Sequence, residues 1–296
     1  MLHDMTFKRT VICFWLLISC LVMPVAYGQQ TQVNFVGSDY LQPLVEKWKA
    51  TVGSAQISLQ GSYMARRSLK SGSADAALII WNTKEEEWPK DEFEVQEWGY
   101  LTLQVVVAES NPLPELSVKQ LGSIYLSGRE DSFSRWGDLG LSGGWGARSI
   151  VPFIYQDSWG IFPAVFQSMY REGSKFRAGT RRIPDTNLAV SEASSQNASI
   201  LLMMYGYPHS GMKLLPIVGD RGQIAYLPTP ENIESGRYPL VMPIKLVYRK
   251  SSIRQLTPLL FQIYSDDAFE QAKSLGIAAP SEATIARYRL NLEFVH

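Results

Sequence analysis

Three short runs in this sequence place hydroxyl-bearing or acidic residues directly before a segment of helical period: Gly37-Ser38-Asp39-Tyr40, Gly61-Ser62-Tyr63 and Asp157-Ser158-Trp159-Gly160. The first backbone N–H groups of a helix have no partner inside it, and the aligned peptide dipoles favour negative charge there. Several such ends meeting at one point make an anion site without any basic side chain. Taken singly, Ser38, Asp39, Ser62 and Ser158 are also ordinary N-caps. Three such junctions in one chain point instead to a site at the carboxyl ends of strands. The same stretches carry Tyr40, Tyr63, Tyr155 and Trp159, and Trp81 ends another apolar run. Aromatic faces beside the carboxylates of Asp39 and Asp157 suit a sugar, a heterocycle or a cation better than a small dianion.

Other chemistries lack parts. Lys8 and Arg9 precede the apolar run Val11 to Val25, which ends in Ala26-Tyr27-Gly28, the order of a secretory signal. Cleavage is expected after Gly28, giving a periplasmic or secreted protein. The rival reading takes Leu17-Ile18-Ser19-Cys20 as a lipoprotein box with Cys20 lipidated. Both cysteines, Cys13 and Cys20, fall in this segment, so the exported part has no disulfide and no thiolate ligand. Without His3, only His209 and His296 remain, which excludes a zinc site built on several histidines. A hydrolase using Ser158 or Ser38 would need His209 within hydrogen-bond reach, and His209 sits in the turn-like Tyr207-Pro208-His209-Ser210-Gly211. No enzyme, cofactor or metal is expected.

The 296 residues hold 28 basic and 28 acidic side chains, with 46% hydrophobic residues, enough for one or two domains with real cores. Removing residues 1–28 takes away Lys8, Arg9 and Asp4 and leaves 26 positive against 27 negative charges. So balanced a chain has no global field for nucleic acid or an anionic membrane.

The elements that must position the junctions alternate. Strands are predicted at Val33 to Val36, Ile57 to Gln60, Ala76 to Trp81, Leu101 to Ala108, Ile150 to Tyr155, Lys213 to Val218, Ile224 to Leu227 and Leu240 to Tyr248. Helices are predicted at Leu41 to Ala50, Tyr63 to Lys70, Val118 to Tyr125 behind the N-cap Ser117, Ile161 to Tyr170, Leu188 to Ser195, Leu256 to Tyr264 and Ala268 to Leu275. This is α/β order. Lys175, Arg177, Arg181 and Arg182 form the densest basic cluster, read as a solvated loop or, alternatively, an anion clamp or partner contact. Arg66 and Arg67 on the second helix face solvent in this reading, with Arg66 the one able to approach a cleft. Glu85 to Glu87 suit a first helical turn.

GSDYLQPLVEKW (37–48), GSYMARRSLKSGSADAAL (61–78), VVVAESNPLPELSVKQLGSIYLSG (105–128) with RWGDLG (135–140), and TPENIESGRYPLVMPIKLVY (229–248) together resemble the periplasmic phosphate-binding components of ABC importers over nearly the whole exported chain. The resemblance implies a two-lobed type 2 periplasmic-binding-protein fold with two crossover strands. Lobe one would be residues 31–108 plus 240–296, and lobe two residues 109–239, with ligand in the cleft and closure burying it. The implied ligand-binding residues are Ser38, Asp39, Tyr40, Ser62 and Trp81 from one lobe and Gln156, Asp157, Ser158 and Gly160 from the other.

The departures fall where that family touches phosphate. Its Ser-Asp pair, whose carboxylate accepts the ligand proton, aligns with Ile79 and Ile80. Its Arg aligns with Gln156, and its Ser-Gly-Thr with Gly160, Ile161 and Phe162; a one-gap alternative keeps Ser158 and Gly160. The function expected is an exported solute-binding protein taking phosphate, another oxyanion or another small molecule. Its partner would be an ABC permease or a membrane sensor. The alternative is a signalling or interaction protein on the same scaffold.

Overall fold

Strand and helix alternate as expected in the computed structural model, which describes residues 32–49, 55–80, 88–157, 160–170, 173–219, 222 and 224–294. β1 (Val33–Gly37) buries alternate residues. A 3-10 turn, Asp39–Leu41, and α1 (Gln42–Lys49) lead back to β2 (Ala55–Leu59). α2 (Ser62–Ser71) ends at the left-handed Gly72 and feeds β3 (Ala76–Ile80), whose five residues are all buried. These three strands are parallel in the order β2-β1-β3. Helical crossovers are what parallel neighbours require.

β4 (Phe93–Ala108) runs for 16 residues, followed by the short β5 (Leu116–Ser117). α3 (Val118–Tyr125) is entered through a capping box: Ser117 Oγ accepts from Gln120 N, and Gln120 Oε1 accepts from Ser117 N. The Gly-rich stretch after it contains a 3-10 turn, Trp136–Leu139, and the single-turn α4 (Gly143–Gly146). β6 (Val151–Tyr155), α5 (Ile161–Ser168), β7 (Arg181–Ile183), α6 (Thr186–Ser194) and β8 (Ser199–Met204) complete a second parallel set. Then come β9 (Met212–Leu214), β10 (Ile217–Val218), β11 (Ala225–Tyr226), α7 (Pro230–Glu234) and β12 (Val241–Arg249). α8 (Ile253–Ile263), α9 (Asp266–Lys273), β13 (Ile277–Ala278) and α10 (Glu282–Glu293) follow.

One strand joins the two parallel sets. β4 pairs with β12 over Phe93 to Thr102 and with β8 and β9 over Leu103 to Ala108, so its partners change between Thr102 and Leu103. The returning chain meets it at that point: Leu103 N donates to Leu240 O, and the buried Tyr238 hydroxyl donates to Leu103 O at 2.8 Å. The first half-sheet is therefore β2-β1-β3-β12-β4 with β13, and the second is β4-β8-β6-β7 with β9. The first is tied by Trp98, edge to face with Trp48 at 5.5 Å and donating to Ile263 O. It is also tied by Asp75, which accepts from Asn34 N, Ser252 Oγ and Gln255 Nε2.

Several elements differ from the sequence expectation. β4 starts at Phe93 rather than Leu101, because β12 pairs with the polar-alternating stretch before Leu101. The strand expected at Lys213 to Val218 is two strands: β9 joins β4 and β10 joins β5, with Leu215 and Pro216 between them. β7, β8, β13, α7 and α10 are additions. The basic cluster is exposed at Lys175, Arg181 and Arg182, as a solvated stretch would be, but Arg177 is tied to the protein. Arg177 donates to Ile124 O and Phe133 O, while Arg181 and Arg182 stack over Phe153 and Phe176 from the edge strand β7.

Candidate ligand-binding cleft

At the carboxyl end of β1 the chain turns under backbone control. Ser38 N donates to Leu78 O of β3, and Gly61 N donates to Gly37 O, which binds the first two junctions to one another. Ser38 is buried and its Oγ accepts from Tyr40 N at 3.3 Å; Ser62 Oγ accepts from Ile80 N at 3.2 Å. Asp39 is exposed at the start of the 3-10 turn, beside Gly61. Ile79 and Ile80 are buried apolar side chains, so neither replaces a proton-accepting carboxylate.

At the carboxyl end of β6 the third junction is built differently. Asp157 sits before the left-handed Gly160, and its carboxylate reaches forward to α5. Oδ1 accepts from Ile161 N at 3.1 Å and Oδ2 from Phe162 N at 2.7 Å. The two N–H groups that a helix N-terminus offers to an oxyanion are thus held by the protein's own carboxylate. Gln156 N donates to Ile183 O, and its side-chain oxygen is buried with no hydrogen-bond partner among the described residues. Trp81 and Ser158 lie outside the described residues.

The two turns face a common cavity of about 70 Å3. Tyr40 and Asp157 both line it, as do Tyr155 and Tyr207, whose rings meet edge to face at 5.8 Å. Its walls are aliphatic: Leu41 and Leu44 from the first half, Leu101 at the partner change of β4, Met204 at the end of β8, and Ile277 from β13. The cavity therefore lies where both half-sheets end. Of the expected ligand-binding residues, Tyr40 and Asp157 are brought together in this lining, while Ser38, Asp39, Ser62, Gln156 and Gly160 are not part of it. Burial, then the Asp39 charge, pushes the Tyr40 phenol up. Burial, then Asp157, does the same for Tyr155, and burial with Tyr155 and Asp157 for Tyr207. All three stay neutral phenols at neutral pH. Tyr207 was not singled out from sequence, because the strand that delivers it, β8, has no alternating pattern.

Arg66, half-buried on α2, and the exposed Arg67 do not line the cavity. A larger open groove of about 540 Å3 lies on α3, between Lys119 and Lys175, and contains none of the expected residues. His209 Nδ1 is 3.0 Å from Met212 O, a contact within its own turn. Among the described residues no three His, Cys, Asp or Glu side chains are placed to hold a metal, and no helix is long and apolar enough to cross a membrane.

A structure of a possible phosphate-binding protein from Planctomyces limnophilus superposes with a TM-score of 0.72 at 16% identity, covering 88% of this chain and 97% of that one. The fold is that of the phosphate receptors. An ABC-type phosphate transport receptor from Vibrio cholerae gives a TM-score of 0.59 at 18% identity, covering 84% of this chain and all of that one. In sequence, the phosphate-binding protein PstS of Pseudomonas aeruginosa is 25% identical over 253 residues, 79% of this chain and 77% of the relative. No family model matches the chain. The fold is thus the two-lobed type 2 periplasmic-binding-protein arrangement, with β4 and the segment entering β12 as its two crossovers.

Proposed function

We propose that the protein is an exported solute-binding protein of an ABC importer, built on the phosphate-receptor fold, whose cleft no longer binds phosphate tightly. The relatives' names and the shared fold support the receptor class. The bidentate contact of Asp157 with Ile161 N and Phe162 N carries the departure from phosphate. A dianion arriving there would meet a carboxylate where it needs donors, and like charges at close range repel by several kcal/mol at an effective dielectric near ~20. Losing a matched carboxylate and a guanidinium, at roughly 2 kcal/mol each, weakens binding by about three orders of magnitude.

In this reading the lobes are residues 31–108 with 240–296, and 109–239. Ser38, Asp39, Tyr40, Ser62 and Trp81 then face Gln156, Asp157, Ser158 and Gly160, and closure over the solute is what a permease or membrane sensor recognises. The mature chain begins at Gln29 and works in the periplasm. The test is a thermal-shift panel of the exported protein against phosphate, sulfate, sugars, amines and amino acids, since a ligand selective for the folded state raises the melting temperature. A shift with a non-phosphate solute and none with millimolar phosphate is expected. A large shift with micromolar phosphate overturns the proposal.

A further inference from the structure

The cavity is too small for a sugar ring, and its lining offers no open charge. Its volume of about 70 Å3 is half of the ~150 Å3 that admits a benzene ring, leaving room for roughly three or four non-hydrogen atoms. Of the twelve residues that line it, eight are Leu, Ile, Pro or Met and three are Tyr. The twelfth is Asp157, whose carboxylate oxygens accept from Ile161 N and Phe162 N, so its charge is already held by the α5 end. The phenols are neutral as well, because burial holds Tyr40, Tyr155 and Tyr207 above their ordinary range. An ion entering this volume would lose its water without gaining a charged partner, which is costly. The aliphatic wall comes from both half-sheets: Leu101 lies on β4 and Ile277 on β13, while Met204 ends β8 and Ile161 opens α5. A group seated there touches both halves at once, which is what a solute needs in order to favour the closed arrangement. Tyr40 is 37% exposed, so the lining reaches solvent. What such a wall gains from an occupant is the covering of apolar surface.

We propose that this cavity receives a short, uncharged aliphatic group of the solute, roughly three or four non-hydrogen atoms long, held by the Leu, Ile and Met wall that the two half-sheets share. The inference rests on the reading of the cleft as the solute site. It is tested by titrating the protein with the 1-alkanols from methanol to 1-hexanol while following the methyl NMR signals of Met204 and Ile277. Affinity should rise about fourfold for each added CH2 up to 1-butanol, then level off or fall as the chain outgrows the cavity. Met204→Ala, which widens the wall, should move that limit by about one or two carbons toward longer alcohols. Leu275→Ala, at a half-buried position of the same lining, repeats the test if loss of the Met204 side chain unfolds the protein. Affinity that does not depend on chain length, a limit that stays in place in both variants, or no saturation by 1-butanol below about 100 mM overturns the inference. So does a solute that binds in the cleft and leaves the Met204 and Ile277 signals unmoved, while the solute-receptor reading stands. Micromolar phosphate binding removes that reading and the inference with it.

Discussion

The two turns that face each other across the cavity are capped in opposite ways. On the β1 side the hydroxyls are neutral: Ser38 Oγ accepts from Tyr40 N of the 3-10 turn, while Ser62 Oγ accepts from Ile80 N at the end of β3 and α2 has no side-chain cap among the described residues. On the β6 side the cap is a carboxylate that spans two N–H groups of α5 from a position ahead of the left-handed Gly160. A hydroxyl satisfies a donor and adds no charge; a carboxylate satisfies donors and also supplies the negative charge that the helix end would attract. Two junctions that look alike in sequence therefore differ in what they leave for a ligand. The first turn leaves the α2 end without a side-chain cap but carries the exposed Asp39 carboxylate, whereas at the second the α5 end is filled by Asp157.

The largest effect on this comparison is expected at Gly37, where a Cβ would stand 2.8 Å from Leu78 O and 2.9 Å from Leu59 Cδ2. Gly37→Ala should lower stability by about 3 kcal/mol in urea melts, through forced separation of β1 from both neighbours. At Gly160 a Cβ would meet nothing within 4 Å among the described residues, but φ is +67°. Gly160→Ala should cost only about 1–2 kcal/mol, from backbone strain alone. Equal costs would mean that the first turn is not the more tightly built of the two.

Asp157→Ala comes next. Loss of a cap on two N–H groups should cost about 1–2 kcal/mol of stability. The same change should raise phosphate affinity by at least about tenfold, since the helix end loses its internal anion. Ser62→Ala should cost about 1 kcal/mol, by leaving Ile80 N without its acceptor, and should leave phosphate affinity unchanged. A gain of phosphate affinity in Ser62→Ala but not in Asp157→Ala would reverse the roles assigned to the two turns.

Asp138 is the exposed counterpart of Asp157, accepting from Arg135 N and Ser134 N, both at 2.8 Å. The Arg135 amide, followed by that of Ser134, holds its carboxyl below the ordinary carboxylate range. Because the folded value is depressed, its stabilisation is present above the unfolded pKa and is lost as pH falls through the folded one. Solvent screening keeps the effect small, and Asp138→Asn should change stability by roughly a few tenths of a kcal/mol near pH 7, with a smaller difference at pH 3. The opposite trend with pH would show that Asp138 stabilises by another route.

The Ser38 and Ser117 caps were legible from local signals, whereas Ser62, expected as a cap, is the first residue of α2 and its Oγ accepts from Ile80 N of β3. The middle of the second half-sheet was not legible. β8 is buried at all six positions, so Ser199–Met204 shows no period-two alternation, and its Leu and Met residues favour helix in isolation. The first part of β4 was hidden for the opposite reason. Glu94, Gln96 and Glu97 read as polar, yet Gln96 is buried against the hydroxyls of Tyr248 and Tyr264, which become neighbours only when β12 and α8 pack. At the cleft, Asp157 was read from sequence as a ligand residue and not as one that fills the helix end itself. That distinction depends on a carboxylate rotamer, and only the three-dimensional arrangement specifies it.

In the proposed function the Asp157 carboxylate holds the two α5 N–H groups that a phosphate would need as donors. Calorimetric titration of the protein with inorganic phosphate is the decisive measurement. No binding tighter than about 100 micromolar is expected, an order-of-magnitude bound from two missing charged contacts. A submicromolar dissociation constant, weakened by Ser38→Ala or Ser62→Ala, would contradict it and return the chain to ordinary phosphate binding.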